Sequence, residues 1–473
     1  MTSTDTKNIS TLPVHDSAHG NGNSGVRRLL LRLHFFAGIV CAPLILIAAV
    51  TGLAYAFSPT MENLVYRDAL TATATGETRP VDEIVDVARQ RHPDLRLAGV
   101  RLDEPGKTVR VLFDDPDLPD KNLRAVFVDP RSGEVTGDMA QYGSSNALPL
   151  RQWISQGHRT AWLGEPGRIY AELAASWLGV LAVGGVILWW RRNRARRTPG
   201  QTVAAMLRGT VRGSRGRART LRLHGVTGTV IAAGMVFLTF TGLTWSLVAG
   251  ENIGELRAAL NWSTPKVSTD VGATGATGAA GAGSGAGGAL PDPATQVNRV
   301  AATADRALQR PLTLTVPKEG GPAWTAAENR APYRLENDAV AINGATGDVV
   351  DRLAFDDWPL AAKATAWLIQ LHMGTLFGLP NQIVLGALAV AIIAMIVLGY
   401  RMWWRRRPMG ESGPRLALAP ARPRRVAMDR RLGVLVACLV AYALVAPLFG
   451  ITCLAFVVGS VAWDRWGADQ FGR

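Results

Sequence analysis

Five stretches of this chain contain no Asp, Glu, Lys or Arg: Leu33–Met61, Leu173–Trp190, Leu223–Gly250, Ala364–Tyr400 and Leu432–Trp463. A helix needs about 20 apolar residues to cross a bilayer core, where only internally hydrogen-bonded backbone is tolerated. Four of the stretches exceed that length, and the second falls just short but extends back past Glu172. Hydrophobic residues make up 48% of the chain and charged residues only 19%, low for a water-soluble protein. The expected fold is a polytopic α-helical membrane protein, with membrane lipid as its first partner.

The net charge of +14 would suit nucleic acid, but its distribution does not. Arg191–Arg222 holds eleven Arg and no acid, and Arg401–Arg431 holds ten Arg against Glu411 and Asp429. Each lies just after an apolar run, which is the pattern of positive-inside bias. Arg27, Arg28 and Arg32 precede or open the first run and set the N-terminus in the cytoplasm. The expected topology is multi-pass with a cytoplasmic N-terminus, and no nucleic-acid partner is expected. Cys41, Cys438 and Cys453 all fall inside apolar runs, so no disulfide framework is implied. The polar leader lacks the apolar core and cleavage site of a signal peptide, so the first span is expected to remain as an anchor.

The apolar runs sit in a repeat. Leu31-Arg32-Leu33-His34, with Gly38 four residues on, returns as Leu221-Arg222-Leu223-His224 with Gly228. Thr51-Gly52-Leu53 matches Thr241-Gly242-Leu243, and Tyr55 matches Trp245. Aligning His158 with His372 pairs Gln156 with Gln370, Gly164 and Pro166 with Gly378 and Pro380, and Ile169 with Ile383. The same alignment pairs Trp189-Trp190-Arg191-Arg192 with Trp403-Trp404-Arg405-Arg406. Each half therefore reads as span, external domain, His segment, span.

The first half divides into a disordered cytoplasmic leader (1–25), a first span (29–57), an extracytoplasmic domain (62–150) and a His segment with the second span (151–192). A basic cytoplasmic loop (193–220) leads to the third span (221–249), a second extracytoplasmic domain (251–363) and a His segment with the fourth span (364–404). The second domain carries a Gly/Ala-rich tract (271–289), too simple in composition to build a core and read as a flexible insert. After another basic cytoplasmic loop (405–431), residues 432–463 have no counterpart in the repeat. That last run is long for one span and short for two, and Pro447 near its middle suggests a hairpin or a broken helix.

Both external domains have α+β patterning. An amphipathic helix at 81–92 precedes strand-like runs near 95–102, 108–114 and 124–129 and a turn at Asp129–Gly133. A helix at 294–308 precedes runs near 312–316, 333–336 and 339–343 and a turn at Asn343–Gly347.

Of the seven His, His15, His19 and His92 read as ordinary solvent-facing residues. His34, His158, His224 and His372 lie in the repeated motifs, and ionisable groups at membrane spans are functional candidates by default. The topology sets His34 and His224 near the cytoplasmic ends of spans 1 and 3, and His158 and His372 near the external ends of spans 2 and 4. A pseudo-two-fold bundle would face His34 to His224 and His158 to His372. Facing imidazoles suit a metal or a haem iron. Gly38 and Gly228, one turn from each His, would let a flat macrocycle approach the backbone. Arg27 and Arg217, two turns before each His, would pair with haem propionates or simply supply positive-inside charge. The competing reading makes the four His interhelical hydrogen-bonding groups or a proton relay. No CxxC, CxxCH, HExxH, phosphate-loop or dinucleotide pattern is present.

The segments RLHFFAG…TGLAYAF at 32–57, GHRTAWLGEPG at 157–167, WWRRN at 189–193, RLHGVTG…TGLTWSL at 222–247, LHMGTLFGLP at 371–380 and PLFGIT at 447–452 resemble the PepSY-associated transmembrane helix family, often described as iron-regulated membrane proteins. The matched residues give an internally duplicated helix bundle, and the resemblance implies that its two extracytoplasmic α+β domains are PepSY-like and that it lies in a bacterial inner membrane. Some relatives act as haem-containing ferric-siderophore reductases, which implies haem b, one or two, on His34, His158, His224 and His372. The expected activity is then electron transfer from a quinol or cytoplasmic donor to an extracytoplasmic ferric siderophore or other iron chelate. Two rival expectations stand beside it. One is a non-enzymatic PepSY protein regulating an extracytoplasmic peptidase, and the other a transporter for iron or its chelate.

Overall fold

The computed structural model describes residues 21–143, 145–194, 216–269, 292–317, 323–406, 409–410, 413–414 and 430–471. His15 and His19, most of the two basic loops and the 271–289 tract lie outside the described residues. In chain order the elements are α1 (Asn21–Val40), α2 (Ala42–Val65), α3 (Arg67–Leu70), α4 (Val81–Arg91), β1 (Arg96–Leu102), β2 (Val109–Asp114), β3 (Asn122–Val128) and β4 (Val135–Tyr142). There follow α5 (Pro149–Thr160), α6 (Glu165–Arg194), α7 (Gly216–Leu243), α8 (Val248–Ala259), α9 (Pro293–Ala307), β5 (Leu312–Thr315), β6 (Ala323–Glu328), β7 (Ala339–Asn343) and β8 (Val349–Leu353). The chain ends with α10 (Leu360–His372), α11 (Leu379–Trp404), α12 (Arg430–Val445) and α13 (Pro447–Phe471).

Four helices among the described residues, α2, α6, α7 and α11, are long and apolar enough to cross a membrane. The chain is a multi-pass membrane protein. Its first crossing helix begins at Ala42, because α1 ends at Val40 and Pro43 opens the next helix. Proline is well placed there, since the N–H it lacks would have no partner in a first helical turn. The helix α1 starts at Asn21, within the stretch whose composition reads as a disordered leader.

The described residues form two compact units. One is built from residues 21–42, 180–232 and 398–471. In it, Val26 and Leu30 of α1 pack with Leu432, and Arg32 Nη2 donates to the Ser460 carbonyl at 3.0 Å. Both ends of the terminal apolar run therefore meet the same part of α1, and the run folds back on itself at Pro447. Its apolar arms, Leu432–Val445 and Pro447–Ser460, are shorter than a crossing requires.

The other unit comprises residues 43–179 and 233–397 and contains an eight-stranded antiparallel sheet in the order β4-β3-β2-β1-β5-β6-β7-β8. The sequence reads as two α+β domains, whereas here their strands are continuous through the β1–β5 pair, Gly99 opposite Thr315 to Leu102 opposite Leu312. A strand edge left open would expose unpaired backbone donors and acceptors, and this pairing satisfies both. Gly99 is required at the seam, because a Cβ there would drive into the Leu314 carbonyl. The run at 333–336 is not a strand, and β4, β6 and β8 are added. Tyr333 has φ of 65°, a conformation no strand accommodates.

The helices α4 and α9 cover one face of this sheet. Ile84, Val85 and Ala88 from α4 and Val297, Val300 and Ala304 from α9 are buried against Val111, Phe113, Leu314 and Trp324. Arg89 holds Asp292 through two hydrogen bonds at 2.7 and 2.6 Å, while Asp292 also accepts from Ala294 N as the N-cap of α9. The turn after β3 is closed by Asp129, whose carboxylate accepts from Thr73, Ala74, Arg131 and Ser132 backbone N–H groups. Those bonds outweigh burial and hold the Asp129 carboxyl below the usual carboxylate range.

The opposite face carries buried charge. Asp103 accepts from Arg101 at 2.8 Å and lies 3.4 Å from Arg110 Nε. Burial works to raise the Asp103 pKa, but the two guanidiniums prevail and hold it below its ordinary range. Burial, aided by Arg101, pulls the Arg110 pKa down to about 10. Removing one partner of such a cluster strands the other, at a cost of about 3–5 kcal/mol. Asp103→Ala is therefore expected to destabilise the protein by about that amount at neutral pH. A carboxylate depressed in the folded state contributes stability above its unfolded pKa, and that contribution disappears as pH falls through the folded value. Denaturation midpoints of the detergent-solubilised protein should thus fall more steeply below about pH 4 for the unsubstituted chain than for Asp103→Ala.

Candidate functional site

Four histidines meet in two pairs, one in each compact unit. His158 ends α5 and His372 ends α10. The start of α5 is held by Glu62, which accepts from Leu148 N at 2.7 Å and faces Arg151 at 3.8 Å. Its end is closed by Trp162, which folds back over Gly157 and donates from Nε1 to the Trp153 carbonyl at 3.0 Å. The helix α10 stops in a turn at Gly374, and Asn381 Nδ2 donates to the Leu371 carbonyl at 2.9 Å. Both histidines are thus carried on helix ends locked by local hydrogen bonds.

The ring centres of His158 and His372 are 6.4 Å apart, with planes inclined at 46°. Each Nδ1 meets a threonine hydroxyl on a crossing helix: His158 meets Thr51 at 3.3 Å, and His372 meets Thr241 at 2.6 Å. Tyr55 stacks parallel to His158 at 6.0 Å, and Trp245 presents an edge to His372 at 5.7 Å. A Cβ on Gly52 would come within 3.0 Å of the His158 ring, so the glycine makes room for the imidazole. The pair opens into a cavity lined also by Arg159, Arg168, Glu172 and Trp245. The Glu172 carboxylate is spent on the backbone N–H groups of Val248 and Ala249 at the start of α8, at 2.8 and 3.1 Å. The cations Arg159 and Arg168 are the remaining charges on the wall.

His34 on α1 and His224 on α7 form the other pair, again with ring centres 6.4 Å apart, here at 85°. Gly185 of α6 would place a Cβ 3.2 Å from the His34 ring, and Gly399 of α11 one 3.8 Å from the His224 ring. His34 Nδ1 is buried and has no hydrogen-bond partner among the described residues. A Cβ on Gly38 would meet nothing within 4 Å. Gly228, one turn beyond His224, is half-buried. Arg27 and Arg217 are both exposed, whereas Arg32 is buried over the Phe36 ring.

His92 lies apart from both pairs and bonds Asp138 at 2.7 Å. Sequence comparison of the two halves singled out the four histidines but left Thr51, Thr241, Tyr55 and Trp245 as mere matched positions. Their signal was present, since each recurs at the same distance from the repeated His. Only the helix crossings reveal that they touch the other His of the half.

The arrangement offers two nitrogen donors at a time. Among the described residues no group of three or more His, Cys, Asp or Glu comes together, so a site for a bare tetrahedral cation has no support. In both pairs the ring centres are 6.4 Å apart.

Compared with known families, residues 31–406 match the one described as PepSY-associated TM region. No curated protein matches the chain.

The packing at the two kinds of glycine gives contrasting expectations. Gly52→Val should push His158 from its place and cost about 1–3 kcal/mol by overpacking. Gly38→Ala should be neutral or stabilising by up to about 1 kcal/mol, the helix propensity gain. Thermal unfolding of the detergent-solubilised variants, without added ligand, checks both.

Proposed function

The chain belongs to the PepSY-associated TM region family, and we propose that it is an inner-membrane haem protein that passes electrons outward to reduce an extracytoplasmic ferric chelate such as a siderophore. The observation that carries this reading is that the four repeated histidines meet in two pairs, with ring centres 6.4 Å apart in each. Two protein donors suffice for a macrocycle that brings its own four nitrogens, which also accounts for the lack of a third ligand.

In this reading His34 with His224, and His158 with His372, would hold the haem iron. Bound haem b supplies a one-electron couple. The protein's part is to hold and shield it. Tyr55 and Trp245 exclude water from the rings of His158 and His372. Arg159 and Arg168 offer guanidiniums to carboxylates. The Arg-rich stretches 191–222 and 401–431 set the cytoplasmic side, where a quinol or soluble donor would deliver electrons. Reduction of a ferric chelate to Fe(II) weakens its hold, because hard oxygen donors favour the higher charge. The matched segments of the two halves further support descent from one duplicated unit.

A second reading is favoured by the family match itself, which names a PepSY association and no redox group. It makes the chain a non-enzymatic membrane regulator of an extracytoplasmic peptidase. The two readings part on colour. Protein purified from cells supplied with haem should show a Soret band and, when reduced, a b-type α band. His34→Ala or His224→Ala should each abolish one haem, and His158→Ala or His372→Ala the other. A colourless protein would overturn the haem reading and leave the regulator.

A further inference from the structure

We propose that Thr51 and Thr241 are positioning residues that fix His158 and His372 in the Nδ1–H tautomer, leaving Nε2 of each ring as the donor. The argument is a count of hydrogens. A threonine hydroxyl has one hydrogen to give, and a backbone carbonyl can only accept. Thr51 Oγ1 lies 2.7 Å from the Ile47 carbonyl, and Thr241 Oγ1 lies 2.7 Å from the Phe237 carbonyl. These are the bonds from a helical hydroxyl to the carbonyl one turn back. Each hydroxyl hydrogen is spent there, so each oxygen faces its histidine as an acceptor. The ring nitrogen it meets is Nδ1 in both cases, and that nitrogen must carry the proton. A neutral imidazole has one N–H, so Nε2 keeps its lone pair.

The same device occurs twice, on helices from different halves and with different hydrogen-bond lengths, 3.3 Å on His158 and 2.6 Å on His372. Nothing equivalent serves His34, whose Nδ1 has no hydrogen-bond partner among the described residues. Ligating histidines are commonly oriented and made more basic by an acceptor on their other nitrogen. The role toward a bound metal rests on the haem reading, whereas the tautomer itself does not.

The test uses the full chain, labelled with [15N]histidine and purified without haem. The His158 and His372 signals are identified by their loss in His158→Ala and His372→Ala. Nitrogen shifts should report the Nδ1–H tautomer for both rings. Thr241→Val should convert the His372 signal to a tautomer mixture and leave His158 unmoved, while Thr51→Val should move the His158 signal less, because the Ala48 carbonyl remains as an acceptor beside that ring. Thr51→Ser and Thr241→Ser should restore the original signals. An Nε2–H tautomer in the unsubstituted protein overturns the proposal, and that measurement stands even if a valine variant fails to fold. So does an unchanged His372 signal in a folded Thr241→Val protein. In haem-loaded protein, the valine variants should raise one midpoint potential and the serine variants return it. Unmoved potentials would confine the threonines to a structural role. Absence of haem uptake by the unsubstituted chain would sink the haem reading alone and leave the tautomer result intact.

Discussion

A ring nitrogen turned into a helix bundle needs a hydrogen-bond partner there, and the surroundings of His158 and His372 are organised by that constraint. Thr51 and Thr241 serve those nitrogens, yet a hydroxyl in the same setting must itself be satisfied. Each is, by the carbonyl one turn back on its own helix. Other hydroxyls follow the same rule, as when Thr229 donates to Gly225 and Thr239 donates to Ala175 across to a neighbouring helix. Glycine makes room for a ring at Gly52, beside His158, and at Gly185, beside His34, where a side chain would crowd the imidazole.

The eight-stranded sheet meets a similar constraint with backbone groups. Two four-stranded meanders each have inner and outer edges, and joining β1 to β5 removes both inner edges at once. The helices α4 and α9 then share one face and bury a single apolar core, tied by Arg89 and Asp292. Neither half would need to bury its own face alone. On the other face, strands β1 and β2 turn Arg101 and Arg110 toward Asp103, so charge is placed where it is compensated by charge.

The legible part of this protein was the part written in local pattern. The strands 96–102 and 109–114 and the helices α4 and α9 stand within a residue or two of where alternation and 3.6-residue periodicity set them. The run at 333–336 is misleading because the short alternation Tyr333-Arg334-Leu335-Glu336 does not disclose a left-handed residue such as Tyr333. The strands β4 and β8 escaped because Val135–Tyr142 and Val349–Leu353 are only partly buried edge strands with weak alternation. At the candidate site the repeat marked His34, His158, His224 and His372. Arg27 and Arg217 were marked by the same alignment, yet both side chains are exposed. Helical spacing assigns a face but does not say whether a neighbouring helix covers it.

By itself the sequence determined that the chain crosses a membrane, because hydrophobic length is a property of one dimension, and its repeated spacing marked the four histidines. Only the tertiary structure decided that the two strand sets form one sheet and that ring centres in each pair stand 6.4 Å apart. It also decided which threonine serves which histidine. Those outcomes depend on contacts between helices and strands far apart in the chain. Their register is set by packing, by the volume of residues such as Gly52 and Gly99, and by hydrogen bonds that exist only once the elements meet.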